Sequence, residues 1–225
     1  MLLLGHRGAR ASRHVPENTL ESFELCMQHG CDGFEFDVRR SADEAAVICH
    51  DPVIAGMEVS STAANLLALP SLEDVLCQFS ARAFLDIELK VPGLETQLVA
   101  ALGANPPRKG YVVSSFLPEV LRAVHQLDAG VPLGFLYDRR DHDRLDHDRP
   151  DNDRPEQALP PDPPLAYLIP HFALVTRELV EATHASGSQV MTWTVNRAEE
   201  ITRFAQWGVD AIISDNTELL VRTLR

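Results

Sequence analysis

Gly33-Phe34-Glu35-Phe36-Asp37-Val38-Arg39 alternates apolar and charged side chains with a period of two, the pattern of a β-strand. Phe34, Phe36 and Val38 fall on one face, and Glu35, Asp37 and Arg39 on the other. Two carboxylates on one strand face stand ~7 Å apart, two strand rises, where they repel each other and resist burial. Either that face is solvated, as on an antiparallel sheet, or a cation sits between the acids.

Outward from this strand the chain repeats one theme. Upstream, Leu2-Leu3-Leu4 is a short buried strand that runs into Gly5-His6-Arg7-Gly8. Pro16-Glu17-Asn18-Thr19 opens a helix that Thr19 can cap, with Ser22 as a second possibility, and Leu20, Phe23, Cys26 and Met27 form its apolar stripe before Gly30 closes it. Downstream, residues 46–49 form a partner for the opening strand and stop at His50-Asp51-Pro52. Residues 53–70 are weakly patterned, and Ser71 then caps a further helix. Ala83-Phe84-Leu85-Asp86-Ile87-Glu88-Leu89-Lys90 is a second strongly alternating strand, with Asp86, Glu88 and Lys90 on its polar face.

The remainder reads as helices at 94–102, 118–127, 177–186, 198–207 and 217–224 between strands at 111–114, 133–137, 166–169, 189–195 and 211–214. Barrel-type strands then begin at residues 2, 34, 84, 111, 133, 166, 189 and 211. Repeated βα units predict a parallel sheet, and eight of them predict an α/β fold closed as a (β/α)8 TIM barrel, with a doubly wound open sheet as the alternative. We expect one catalytic barrel domain over 1–225. Residues 138–164 interrupt it with degenerate Asp-Arg-Pro repeats such as Asp-His-Asp-Arg-Pro. So few apolar residues cannot bury a core, and a disordered surface insertion is expected there, its His142 and His147 solvated.

The 225 residues are 45% hydrophobic and 24% charged, an ordinary globular composition. A net charge of -13 argues against nucleic acid as a partner. Cys26, Cys31, Cys49 and Cys77 show no zinc-like or CxxC spacing and read as reduced thiols. No export signal and no apolar run of ~20 residues is visible, so a cytoplasmic location without stable membrane insertion is expected. Oligomeric state is left open.

In a parallel barrel the chemistry lies at the C-terminal ends of the strands. His6 and Arg7 lie there after the first strand, Glu35 and Asp37 at the end of the second, His50 after its partner, Glu88 and Lys90 at the end of the third, and Trp193 near the end of the seventh. Glu17 and Asn18 can fold back from the first loop. One alternative is a structural ion network in which Glu35, Asp37 and Glu88 pair with Arg39 and Lys90, but buried pairs of that kind stabilise weakly. The other is a hard divalent cation, Mg²⁺ or Ca²⁺, for which three carboxylates are suitable ligands. Singly, His6 reads as a loop residue, His50 as a surface histidine oriented by Asp51, and Trp193 as core. Lys90 is more telling, because the chain has only two lysines, Lys90 and Lys109, and a compact point charge on an acidic face suits a phosphate or carboxylate.

His6-Arg7-Gly8, Pro16-Glu17-Asn18-Thr19, Glu35-x-Asp37, His50-Asp51, Glu88-x-Lys90 and Trp193-Thr194-Val195-Asn196, in this order, resemble the glycerophosphodiester phosphodiesterase family over the whole chain outside 138–164. The final strand departs slightly, with Ala211 and Ser214 in Gly208-Val209-Asp210-Ala211-Ile212-Ile213-Ser214-Asp215 where Gly and Thr are more usual. The resemblance implies a (β/α)8 barrel, metal ligands at Glu35, Asp37 and Glu88, and catalytic histidines at His6 and His50. It also implies phosphate or metal-site contacts from Arg7 and Lys90, with Glu17 and Asn18 in support. The expected reaction is metal-dependent hydrolysis of a glycerophosphodiester, a small-molecule substrate, to sn-glycerol 3-phosphate and an alcohol, with Trp193 lining the substrate site. Hydrolysis of a lysophospholipid or other lipid phosphodiester on the same barrel, and a non-catalytic metal- and phosphate-binding barrel, are the alternatives.

Overall fold

A computed structural model describes residues 1–138 and 163–225. The chain runs β1 (Leu2–His6), α1 (Leu20–Gln28), β2 (Gly33–Arg40), β3 (Ala46–Ile48), β4 (Val53–Ile54), β5 (Met57–Glu58), α2 (Ala64–Leu67), α3 (Leu72–Phe79), β6 (Phe84–Leu89) and α4 (Glu95–Ala104). It continues with β7 (Tyr111–Ser115), α5 (Pro118–Leu127), β8 (Leu133–Tyr137), β9 (Tyr167–Pro170), α6 (Arg177–Ala185), β10 (Gln189–Thr192), α7 (Ala198–Trp207), β11 (Ala211–Ser214) and α8 (Thr217–Leu224). Strands β1, β11, β10, β9, β8, β7, β6 and β2 pair in that order, and the parallel β1–β2 pairing closes the ring. This is the (β/α)8 barrel, and closure excludes the open sheet. All eight strands expected from the sequence are present.

Three layers explain why these residues form these elements. Leu4, Phe84, Val112, Ile169, Met191 and Ile213 point inward and fill the barrel. Phe34, Phe36 and Val38 point outward under helices α1 and α3, where Phe23 stacks on Phe34 at 4.2 Å and Phe79 meets it edge-on at 5.0 Å. Offset and edge-to-face geometries of this kind add to the burial energy of the rings. A second outer layer, including Leu3, Val180, Ile201, Phe204 and Leu220, seats α6, α7 and α8. Further along β2 and β6 the inward positions, by contrast, are acids: Glu35, Asp37, Asp86 and Glu88 are all buried. Register then decides the site, because β1–β2 pairing sets His6 beside Glu35 and β2–β6 pairing sets Asp37 beside Glu88.

The expected caps hold. Thr19 accepts from the Ser22 N–H at 3.1 Å, and Ser71 and Asp74 form a reciprocal capping box. The helix expected at 94–102 runs two residues further, to Ala104. Residues 53–70, without pattern in the sequence, contain a minimal β4–β5 hairpin around Ala55 and Gly56, a 3-10 turn at Val59–Ser61 and the single turn of α2. Two-residue strands have no period to detect. The insertion expected at 138–164 lies almost wholly outside the described residues. Among the described residues no helix is long and apolar enough to cross a membrane.

Gly33 shows how tightly β2 and β6 are joined. A Cβ at this position would lie 1.9 Å from the Phe84 carbonyl oxygen and 2.6 Å from its carbon, both backbone atoms that cannot turn aside. Gly33→Ala is therefore expected to destabilise the fold by about 3 kcal/mol or more, the upper range for overpacking. Urea unfolding checks this, and a shift below about 0.5 kcal/mol, the range of an innocuous surface change, would contradict the β2–β6 register.

Candidate active site

At the C-terminal mouth of the barrel, one oxygen from each of Glu35, Asp37 and Glu88 lies within 4.8 Å of the others. All three side chains are nearly inaccessible to water. Asp37 accepts from Asn18 Nδ2 at 2.8 Å, and it has Arg7 Nε at 3.2 Å and Lys90 Nζ at 3.3 Å. Lys90 Nζ also stands 2.6 Å from Glu88. Part of an ion network is thus real, but Arg39 is not in it. Its Nε donates to the His50 carbonyl at 2.7 Å, because β2 leaves the barrel at this end to pair with β3. The ion-network alternative therefore does not extend to Arg39, which instead holds the His50 backbone.

The network leaves the acids unbalanced. Glu35 Oε2 accepts from the Arg7 backbone N–H at 3.0 Å, but Oε1 is buried without a hydrogen-bond partner among the described residues. Asp37 Oδ1 and Glu88 Oε1 likewise lack an aligned hydrogen bond and face only the Lys90 ammonium. Burial, and then the charges of Asp37 and Glu88, push the Glu35 carboxyl well above its usual range. Burial and the Asp37 charge push Glu88 up to about 7 against the pull of Lys90. Burial also works to raise Asp37, but Lys90, Arg7 and Asn18 outweigh it and hold that carboxyl low. Three converging hard oxygen donors, with buried acceptor atoms left over, fit a divalent cation.

The loops bring in the remaining groups. Arg7 has φ 52° and Gly8 φ 80°, so the chain turns back through two successive left-handed residues. Only glycine fits at position 8, where a Cβ would lie 2.3 Å from Ser22 Oγ. The strain at Arg7, of order 1–3 kcal/mol, is what aims its N–H at Glu35 and its guanidinium at Asp37. Arg7 Nη1 in turn donates to Glu17 at 2.7 Å, and the Asn18 N–H donates to the Arg7 carbonyl, so Glu17 and Asn18 do fold back over the site.

Both histidines have a carboxylate behind them. His6 Nδ1 lies 2.7 Å from Asp215 Oδ1, with Nε2 3.8 Å from Glu35 Oε2. His50 Nδ1 lies 2.7 Å from Asp51 Oδ1, and burial keeps the half-exposed His50 below its ordinary value in spite of Asp51. A cleft of about 690 Å³ opens between His6, Arg7, Glu35, His50, Glu88 and Lys90 on one side and Phe116, Leu136, Trp193 and Ile213 on the other. Trp193 is pinned by its Nε1–H to the Ile169 carbonyl at 3.1 Å and meets Phe116 edge-on at 5.5 Å. Every expected site residue therefore comes to one mouth. Three were not anticipated. Asp215 and Asn196 stand behind His6, and Asp86 sits below Glu88, held by Ser114 Oγ at 2.6 Å and pushed by burial to about 7. The signal available for Asp215 was its position directly after a buried strand, the same that marks His6.

The model of the glycerophosphoryl diester phosphodiesterase family matches residues 6–96 and 102–219, which include all of these site residues. The chain belongs to this family. Among the relatives of this glycerophosphoryl diester phosphodiesterase family member, the glycerophosphodiester phosphodiesterase of Caldanaerobacter subterraneus subsp. tengcongensis is 29% identical over 253 residues, covering 100% of this chain and 98% of that one. The Bacillus subtilis glycerophosphodiester phosphodiesterase is 24% identical, covering 97% of this chain and 85% of its own. The Thermotoga maritima glycerophosphodiester phosphodiesterase structure superposes with a TM-score of 0.76 at 26% identity, covering 100% of this chain and 98% of that one. An Oleispira antarctica phosphodiesterase, solved with the product sn-glycerol-3-phosphate, shares the fold with a TM-score of 0.79 at 23% identity, covering 100% and 96%. Membership places the chain among the phosphoric diester hydrolases.

Proposed function

We propose that this family member hydrolyses a glycerophosphodiester to sn-glycerol 3-phosphate and an alcohol, using a divalent cation, Mg²⁺ or Ca²⁺, held by Glu35, Asp37 and Glu88. The observation that carries this is the cluster of three buried carboxylates, within 4.8 Å, opening into a cleft lined by two carboxylate-backed histidines. The whole barrel, residues 1–225, acts as one catalytic unit in this reading.

A bound cation supplies charge neutralisation and a lowered pKa for an oxygen nucleophile. Arg7 and Lys90 line the same wall and direct positive charge at the non-bridging phosphoryl oxygens, so charge gathered in the transition state meets preorganised cations. One of His6 and His50 accepts the proton of the attacking oxygen as the new P–O bond forms, whether that oxygen is water or a glycerol hydroxyl whose cyclic phosphate is then opened by water. The other gives its proton to the alkoxide oxygen as the bond to the alcohol breaks. Each transfer is typically worth 10²–10⁴ in rate. Trp193 and Phe116 offer an apolar wall to the carbon skeleton beside the phosphate.

Turnover of glycerophosphocholine is expected to stop on chelation and to return with Mg²⁺ or Ca²⁺. A panel of glycerophosphodiesters and lysophospholipids then fixes the substrate class. Preference for lysophospholipids would replace the proposed substrate, and phosphate binding without turnover under any metal would make this a binding barrel.

A further inference from the structure

We infer that Asp215 and Asn196 form a clamp that fixes the ring orientation and tautomer of His6, so that its Nε2 presents a lone pair to the cleft; they are positioning residues for the proposed hydrolysis, on which this inference rests. The clamp exists because the barrel closes: β1 pairs with β11, with Gly5 beside Ser214, so His6 at the end of β1 and Asp215 just after β11 meet at the mouth.

Each atom of the clamp is determined. Asn196 Oδ1 accepts from the Asp215 N–H at 2.9 Å and from Ser214 Oγ at 3.0 Å. The other terminal atom, Nδ2, is therefore the donor to Asp215 Oδ2 at 2.7 Å. That bond anchors the carboxylate and leaves Oδ1 facing His6 Nδ1 at 2.7 Å, with Arg10 Nη1 at 3.2 Å from the same oxygen. An ionised carboxylate only accepts, so Nδ1 carries the hydrogen, and a neutral ring has its free lone pair on Nε2. Nε2 is the nitrogen on the Glu35 side, in the wall of the cleft. The ring is nearly buried and the Asp215 side chain is 20% exposed, so water competes poorly for either contact.

Asp215→Asn tests this with almost no change in volume. The Asn196 amide cannot turn, so the new amide must point its oxygen at Asn196 Nδ2 and its NH₂ at His6 Nδ1. Arg10, exposed at the rim and bonded through Nε to Glu17, can turn its Nη1 away from the new amide. His6 must then bind through a bare Nδ1 and carry its proton on Nε2. Histidine ring ¹⁵N spectra of the metal-free protein at pH 8 are expected to move His6 from the Nδ1–H to the Nε2–H tautomer. In the metal-loaded protein, kcat for glycerophosphocholine is expected to fall 10²–10⁴-fold with KM changed only a few-fold. An unchanged His6 tautomer would overturn the inference, as would near wild-type kcat in Asp215→Asn when His6→Ala is inactive. Full turnover by His6→Ala would instead strike at the proposed role of His6, and the spectra would still report on the clamp. If Asp215→Asn loses the circular dichroism of the folded barrel, Asn196→Ala carries the same test. It frees Asp215 Oδ2 and also removes the acceptor of the Asp215 N–H and of Ser214 Oγ, and is expected to lower kcat about 10-fold or more, as the loss of an orienting partner does, with both His6 tautomers populated.

Discussion

Glu88→Gln is expected to lower turnover ~10³-fold or more while raising the melting temperature of the metal-free protein at pH 8 by roughly 6–12 °C. The first effect follows from the proposed function, in which Glu88 is one of three carboxylates that would hold a cation, a group that supplies several kcal/mol to such a transition state. The second follows from the cost of the site itself. Glu88 is 7% exposed, and burial together with the Asp37 charge raises its carboxyl from 4.5 to about 7. Below pH 4.5 it is protonated in the folded and unfolded chains alike and costs nothing. As pH rises from 4.5 through 7, the unfolded chain gives up its proton first, and the folded state loses stability on the order of 3 kcal/mol. Glutamine has no such window, and Lys90 keeps its contact with Asp37 at 3.3 Å. The gap in melting temperature between variant and wild type should therefore open between pH 4.5 and 7, and close again when wild type binds a divalent cation. Melting curves across this pH range check it. A gap independent of pH would mean that charge burial is not its source, and near wild-type turnover would remove Glu88 from the ligand set.

The same balance explains which parts of the molecule could be read from the chain. The eight strands were legible because each is apolar on one face or both, and their alternation survives in five or six residues. Thr19 and Ser71 were legible because a cap precedes an apolar stripe. Glu35, Asp37, Glu88, His6 and His50 stood out because charged groups at strand ends contradict the apolar pattern on which the barrel depends. Arg39 marks the complementary limit: strict alternation sets it on the face of Asp37, but the β2–β3 excursion turns it toward the His50 carbonyl. Residues 53–70 build from two-residue strands and single turns, held locally by contacts such as Thr62 Oγ1 to the Glu58 carbonyl, which leave no periodic trace. Asp215 was hidden by distance. It meets His6 across 209 positions of sequence, and only closure of the first strand on the last brings the pair together.

His6→Ala and His50→Ala are each expected to reduce turnover of glycerophosphocholine 10²–10⁴-fold, and a change of leaving group should tell them apart. Choline leaves as a poor alkoxide and needs a proton as the P–O bond breaks. A glycerophosphoryl nitrophenyl ester leaves as a stabilised phenolate and does not. The variant that lacks the proton donor should therefore recover most of its lost rate on the nitrophenyl ester, and the variant that lacks the proton acceptor should remain impaired on both. In the proposed reaction each histidine could take either part, since both hold Nδ1 against a carboxylate at 2.7 Å. Their settings differ, however. His6 is enclosed, with Asp215 fixed from behind by Asn196, whereas His50 is half-exposed and its Asp51 lies in solvent. An exposed carboxylate is screened and holds its partner weakly, so Asp51→Ala should cost far less than Asp215→Asn whichever histidine donates. Kinetics on the two substrates with all four variants read both points at once. Equal recovery of the two histidine variants on the nitrophenyl ester would contradict the division of proton transfer between His6 and His50.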